Sequence, residues 1–151
     1  MTKIYIANLE DYSENILTGK WVELPLAEKE LELAIQSVLG DEGHLIADYD
    51  ADFCISKYED VRKLNAFVEK LESLSSCDQE KVAFLLERYG YSREKALDSI
   101  DDVIFYKGMT LKEVAGDLKN DGCFWLACNL KKSGYHETKK GVFRYYQKGE
   151  R

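Results

Sequence analysis

The sequence predicts an α+β fold, an elongated chain of small lobes with β-rich ends and a helical middle. Strand-type alternation is concentrated towards the two ends, helical stripes opened by capping residues fill most of the stretch between them, and no internal repeat or long linker interrupts the chain. These observations divide it into an N-terminal α+β lobe over 1–60, a helical middle lobe over 61–105 and a C-terminal α+β lobe over 106–151.

Each element has a local reason. KIYIANL (3–9) alternates apolar and polar residues as a strand, and GKWVELP (19–25) is a second β-rich run closed by the one proline, with the polar DYSENILTG between them as a connection. AEKELELAIQSVL (27–39) sets Leu31, Ala34, Ile35, Val38 and Leu39 on one helical stripe and stops at Gly40. HLIADYDA reads as a strand. Ser56 and Glu59 have the spacing of a capping box, which predicts that the helix YEDVRKLNAFVEKLESL opens there. Asp78 is expected to cap a helix over QEKVAFLLERY ending at Gly90, and Ser92 to start a short one through Leu97. DDVIFYKG resembles a strand, Thr110 and Glu113 form a second capping box, and FWLACNL (124–130) and GVFRYYQ are read as strands around a turn-rich KKSGYHETKKG.

Composition narrows the chemistry. At 151 residues, with 45% hydrophobic and 12% aromatic side chains, the chain can bury a real core. No apolar run approaches the roughly 18 residues of a membrane span, and the N-terminal residues lead straight into a strand without the apolar stretch of a signal peptide, so a soluble cytoplasmic protein is expected. Cys54, Cys77, Cys123 and Cys128 form no CxxC pair and are read as reduced core residues, not as metal ligands.

The net charge of −7 hides a gradient: residues 1–60 carry fourteen acidic against four basic side chains, 61–105 nine against seven, and 106–151 five against ten. Such asymmetry speaks to partners more than to fold. The acidic run is densest over DEGHLIADYDADFCISKYED (41–60), where Asp48, Asp50 and Asp52 recur at every second position. From Asp48 the spacing approaches an EF-hand calcium loop, with acidic residues at positions one, three, five and twelve, but Phe53 occupies the sixth position, where the chain needs a glycine to turn. Two carboxylates can also serve as acid and base, yet no nucleophile motif, phosphate loop or partner histidine accompanies them. The expectation is therefore no catalytic residue, no cofactor and no metal. On a strand the three aspartates would face one side about 6.6–6.8 Å apart, with Ala47, Tyr49, Ala51 and Phe53 on the other. Duplex DNA is likewise a rod of regularly spaced negative charge, so a row of carboxylates can compete for a cleft that holds phosphates; an ordinary solvated face is the plainer alternative.

Three stretches carry a resemblance to a known family. IYIANLEDYSENILTGKWVELP, IADYDADFCISKYEDVRKLN (46–65) and YKGMTLKEVAGDL (106–118) are similar to the opening, the Asp-Tyr-acidic segment and the later helix start of the ArdA antirestriction proteins, over roughly residues 3–121. The resemblance implies a three-lobed DNA mimic, homodimeric, made by mobile genetic elements, which occupies the DNA-binding groove of type I restriction–modification enzymes at their methyltransferase core. It carries over Asp48, Tyr49, Asp50, Phe53, Ile55, Tyr58, Leu64 and Asn65; of these, Tyr49, Phe53, Ile55 and Leu64 are read as packing and Asn65 as a cap or brace of a turn.

The acidic mimic face expected from charge and resemblance together comprises Glu10, Asp11, Glu14, Asp48, Asp50, Asp52, Glu59, Asp60, Asp98, Asp101 and Asp102. No direct DNA binding and no membrane partner are expected. The homodimer is expected to form through the C-terminal lobe, where FWLACNL is too apolar for a lone exposed edge strand. The basic last third, with Tyr135, Phe143, Tyr145 and Tyr146, would repel a phosphate-binding groove, which confines mimicry to the first two lobes or gives the last one another partner. The alternative readings are an ArdA-related interaction protein whose acidic face binds another basic protein, and an EF-hand-like calcium module.

Overall fold

The computed structural model describes residues 1–145; Tyr146 lies outside them. The architecture is α+β, and the chain forms two compact units, Met1–Ser73 and Leu74–Arg151. The helical stretch predicted over 61–105 is thus divided, its first helix belonging to the first unit and the rest to the second.

The first unit is an antiparallel sheet of β1 (Thr2–Asn8), β2 (Gly19–Leu24) and β3 (His44–Asp50) in the order β2-β1-β3, with α1 (Leu9–Ser13), α2 (Glu28–Val38) and α3 (Val61–Glu72). Residues opposite one another across strands share a face, so Thr2, Ile4 and Ile6 lie with Leu24, Val22 and Ile46. This face is the core: all of these but Val22 are buried, as are Leu31, Ala34, Ile35 and Val38 of α2 and Leu64, Phe67 and Val68 of α3. Burying an isoleucine of this kind contributes about 1.5–3 kcal/mol. Asn65 is buried with them, and its amide clasps the backbone of Leu26, accepting from the Leu26 N–H (2.8 Å) and donating to its carbonyl (2.9 Å). The sequence reading of Asn65 as a brace therefore has a concrete form.

The second unit stacks three layers. Its sheet is β4 (Ile104–Lys107), β6 (Gly141–Arg144) and β5 (Tyr135–Thr138), antiparallel in the order β4-β6-β5. One face carries Phe105, Phe143 and His136, and Phe84 of α4 (Ser76–Tyr89) stacks on Phe143 at 4.4 Å between ring centres. The other face carries Tyr106, Val142 and Tyr135, which pack with Val114 of α6 (Leu111–Asn120) and Leu130. Gly90 ends α4 with φ 62°, a conformation that favours glycine, and Ser92 then caps α5 (Arg93–Asp98), which a 3₁₀ turn over Ile100–Asp102 follows.

Several local expectations are corrected. FWLACNL is no strand: α7 (Phe124–Cys128) is helical, because a short apolar run bounded by a glycine has no periodicity that separates the two states. The 56–59 box does not open α3; Glu59 does reach back to the Ser56 N–H (2.6 Å), but within a turn, and Asp60 is the cap, accepting from the Arg62 and Lys63 amides. Ser75, not Asp78, caps α4. The connection after β1 contains α1, and the turn-rich stretch before β6 contains β5. The cysteines are thiols but not core residues: Cys54, Cys123 and Cys128 are exposed and Cys77 half-buried. The Thr110–Glu113 capping box is formed as read.

Candidate functional site: acidic surfaces of the two units

The register of β3 decides where its carboxylates point. Tyr5 pairs with Asp48 but Ile6 pairs with Ile46, which leaves Ala47 as an extra residue, a β-bulge. Strict alternation would have put Ile46 and Asp48 on one face. The bulge separates them, so Ile46 goes to the core and Asp48 and Asp50 to the opposite face, opposite Tyr5 and Lys3. Across β1 the same face carries Trp21 and Glu23 of β2. Asp48, Asp50, Glu23 and Trp21 are exposed, and Trp21 meets Tyr5 edge to face at 5.5 Å. Among the described residues no cation stands within ion-pair distance of Glu23, Asp48 or Asp50, although Lys3 lies between Glu23 and Asp50 in register.

The expected row of three aspartates is shortened to two. β3 ends at Asp50, and Asp52 sits exposed in the bend beyond it. Tyr49, read as packing, shares the core-side register of Ile4 yet keeps 38% of its surface open, whereas Ile55 and Leu64 are buried and Phe53 packs on Phe67 at 5.2 Å.

The remaining first-unit candidates gather at the other end of β1. Glu10, Asp11 and Glu14 lie in or just after α1, which the side chain of Asn8 caps by accepting from the Asp11 N–H (3.1 Å). Glu59 and Asp60 follow Lys57, whose ammonium donates to the Tyr12 hydroxyl of α1 (2.9 Å). Three residues of β1 separate Asn8 from Tyr5, about 10 Å at the rise of a strand, so these acids form a group apart from Asp48 and Asp50. Asp41 and Glu42, both exposed in the turn that bonds to Leu9 through Gly43, add to this end and were not among the predicted residues. Glu23 was also missed; its parity with Trp21 is visible in GKWVELP, but only the pairing with β1 brings it level with Asp50.

In the second unit Asp98, Asp101 and Asp102 are exposed at the end of α5 and in the following 3₁₀ turn. Elsewhere in this unit Lys107, Lys112, Lys119, Lys131, Lys132 and Lys139 are exposed, and Lys140 bridges to Glu80 at 2.9 Å.

Two further ionisable groups have altered affinity for protons. Arg62 of α3 forms a two-pronged pair with Glu32 of α2 (2.5 and 2.9 Å), and this hydrogen bonding, with the attraction of the guanidinium, holds Glu32 below its usual value. Burial, aided by the charge of Arg62 and opposed by Asp60 and Glu32, lowers His44.

Among the described residues no three or more His, Cys, Asp or Glu converge as a metal would need, and no helix is long and apolar enough to cross a membrane. These surfaces present exposed carboxylates on small α+β scaffolds. The model of the family described as antirestriction protein (ArdA) matches residues 4–142, and the chain belongs to that family. The match runs past Asp121, where the resemblance read from the sequence thins, and extends in the second unit into β6. No curated protein matches the chain at a significant level.

Proposed function

We propose that this antirestriction protein is a DNA mimic without catalytic activity, which acts in the cytoplasm by occupying the DNA-binding groove of type I restriction–modification enzymes at the methyltransferase core. The observation that carries this reading is the exposed acidic end of the first sheet in a chain of the ArdA family: Asp48 and Asp50 face outward with no cation paired to them among the described residues. A groove built to hold phosphates is lined with cations, and carboxylates held on a rigid strand satisfy those cations without the entropic cost of ordering a flexible tail. Asp52 beside them, the separate group of Glu10, Asp11, Glu14, Glu59 and Asp60, and in the second unit Asp98, Asp101 and Asp102 are proposed to supply further charge. We also propose that the chain works as a homodimer joined through its C-terminal segment.

Inhibition of DNA cleavage by a type I enzyme should weaken as salt rises, because screening acts on exposed charges. Replacing Asp48, Asp50 and Asp52 together with Asn keeps their shape and should weaken inhibition roughly tenfold, at the fraction of a kcal/mol to about 1 kcal/mol that an exposed charge pair contributes. Unchanged inhibition by that variant would reduce the aspartates to solvated surface. If the unaltered protein fails to inhibit at low salt, the acidic face serves a different basic protein.

A further inference from the structure

The outer face of the first sheet holds more than charge. Trp21 is 49% exposed at the edge strand β2, stands against Tyr5 edge to face, and lies in register with Asp48 across β1. An indole left half open on a sheet whose opposite face is the core contributes nothing further to packing, and its neighbours on this face, Glu23, Asp48 and Asp50, exclude an anionic or purely apolar occupant. A second copy of the same face would bring like charges together. A cation fits, and of the two protein cations arginine fits better: its guanidinium is planar, stacks on an aromatic ring and pairs with a carboxylate through two parallel bonds, whereas an ammonium is a compact, strongly hydrated point charge.

We propose that Trp21, Tyr5 and the flanking carboxylates Asp48, Asp50 and Glu23 form an arginine-selective docking surface, the occupant being an arginine side chain projecting from the partner protein. Lys3, between Glu23 and Asp50 in register, adds one positive charge to this face. This deepens the proposed function, on which it rests for the identity of the partner: carboxylates alone imitate phosphate for any cation, while the aromatic pair chooses which cation is held and where.

The test uses the full chain and two probes of equal charge, a hexa-arginine and a hexa-lysine peptide, titrated calorimetrically at low salt. The arginine peptide should bind several-fold more tightly. Trp21→Ala should cut that preference by about two- to fivefold, the effect of one exposed cation–π contact, weakening lysine-peptide binding by less. Glu23→Gln with Asp48→Asn and Asp50→Asn should weaken both peptides. Equal affinity of the two peptides, or a preference that survives Trp21→Ala in a variant with an unaltered melting temperature, would overturn the proposal. Cleavage assays separate this outcome from failure of the functional reading. A protein that inhibits a type I enzyme equally well with and without Trp21 refutes the arginine surface alone, and one that keeps the arginine preference without inhibiting refutes only the choice of target.

Discussion

At the scale of single residues, what a side chain does was legible where its type admits few roles. Asn65, carried in a Leu-Asn pair, was read as a brace, and it holds Leu26 by both ends of its amide. Tyr49 was misread because apolar bulk was equated with burial, whereas an aromatic residue near the end of an edge strand keeps an open side. His44 is the residue whose environment no sequence pattern announces. Its lowered proton affinity comes first from burial and then from Arg62. The sign follows from linkage: above pH about 6.5 the imidazole is neutral folded or unfolded and has no effect, and as pH falls below that value the unfolded chain takes up the proton more readily, so stability drops until the depressed folded value is passed. His44→Gln should therefore flatten the fall in melting temperature between pH 7.5 and 5.5. Parallel curves for the variant and the unaltered protein would show that His44 makes no contribution.

At the scale of elements, helices with a stripe or a capping box were readable, α2 by its apolar stripe alone and α6 by the Thr110–Glu113 box that opens it. α7 was not, since five residues give no period. The strands were found, but which side each faces was not, because facing depends on a partner that the strand's own residues do not name. β3 illustrates a second duty of its charges. It is an edge strand; its Ile46 N–H donates to the Lys57 carbonyl (2.8 Å), while the end bearing Asp48 and Asp50 has β1 as its only strand neighbour among the described residues. Like charges along such an edge discourage a second chain from adding to the sheet. Asp48→Asn with Asp50→Asn should therefore associate more readily at neutral pH than Asp98→Asn with Asp101→Asn, which loses the same charge from a helix end and turn. Equal light scattering from the two variants at the same concentration would assign the effect to net charge and not to the edge.

At the scale of the molecule, the division into two units re-sorts the charge. Residues 1–73 hold sixteen acidic and seven basic side chains, and residues 74–151 hold twelve and fourteen, so the negative excess belongs to the first unit. The gradient was visible in the sequence; the point where it breaks was not, because α3 has the cap and stripe of any middle helix and its place in the first unit comes from tertiary contacts, with β2, with Glu32 of α2 and with Leu26. In the second unit Phe124 is 64% and Trp125 72% exposed on α7. Two large side chains left open side by side suit the proposed homodimer. Phe124→Ser with Trp125→Ser should convert a dimer to a monomer in light scattering while leaving the melting curve of the separated chain intact. A dimer that persists in this variant would place the contact elsewhere.

The extra residue at Ala47 gives β3 a grammar of its own. The strand is two half-strands out of phase, so odd and even positions exchange meaning at that point: an apolar residue at 46 and an acidic one at 48 are both correct only because one position between them is skipped. Exchanging a residue on either side alters one side chain. Drawing Ala47 into regular pairing, with the bulge lost, would bring Asp48 into the phase of Ile46 and turn a carboxylate toward the core. The charged face thus depends on the bulge, and a reading of this strand by unbroken alternation would misassign every carboxylate beyond Ala47.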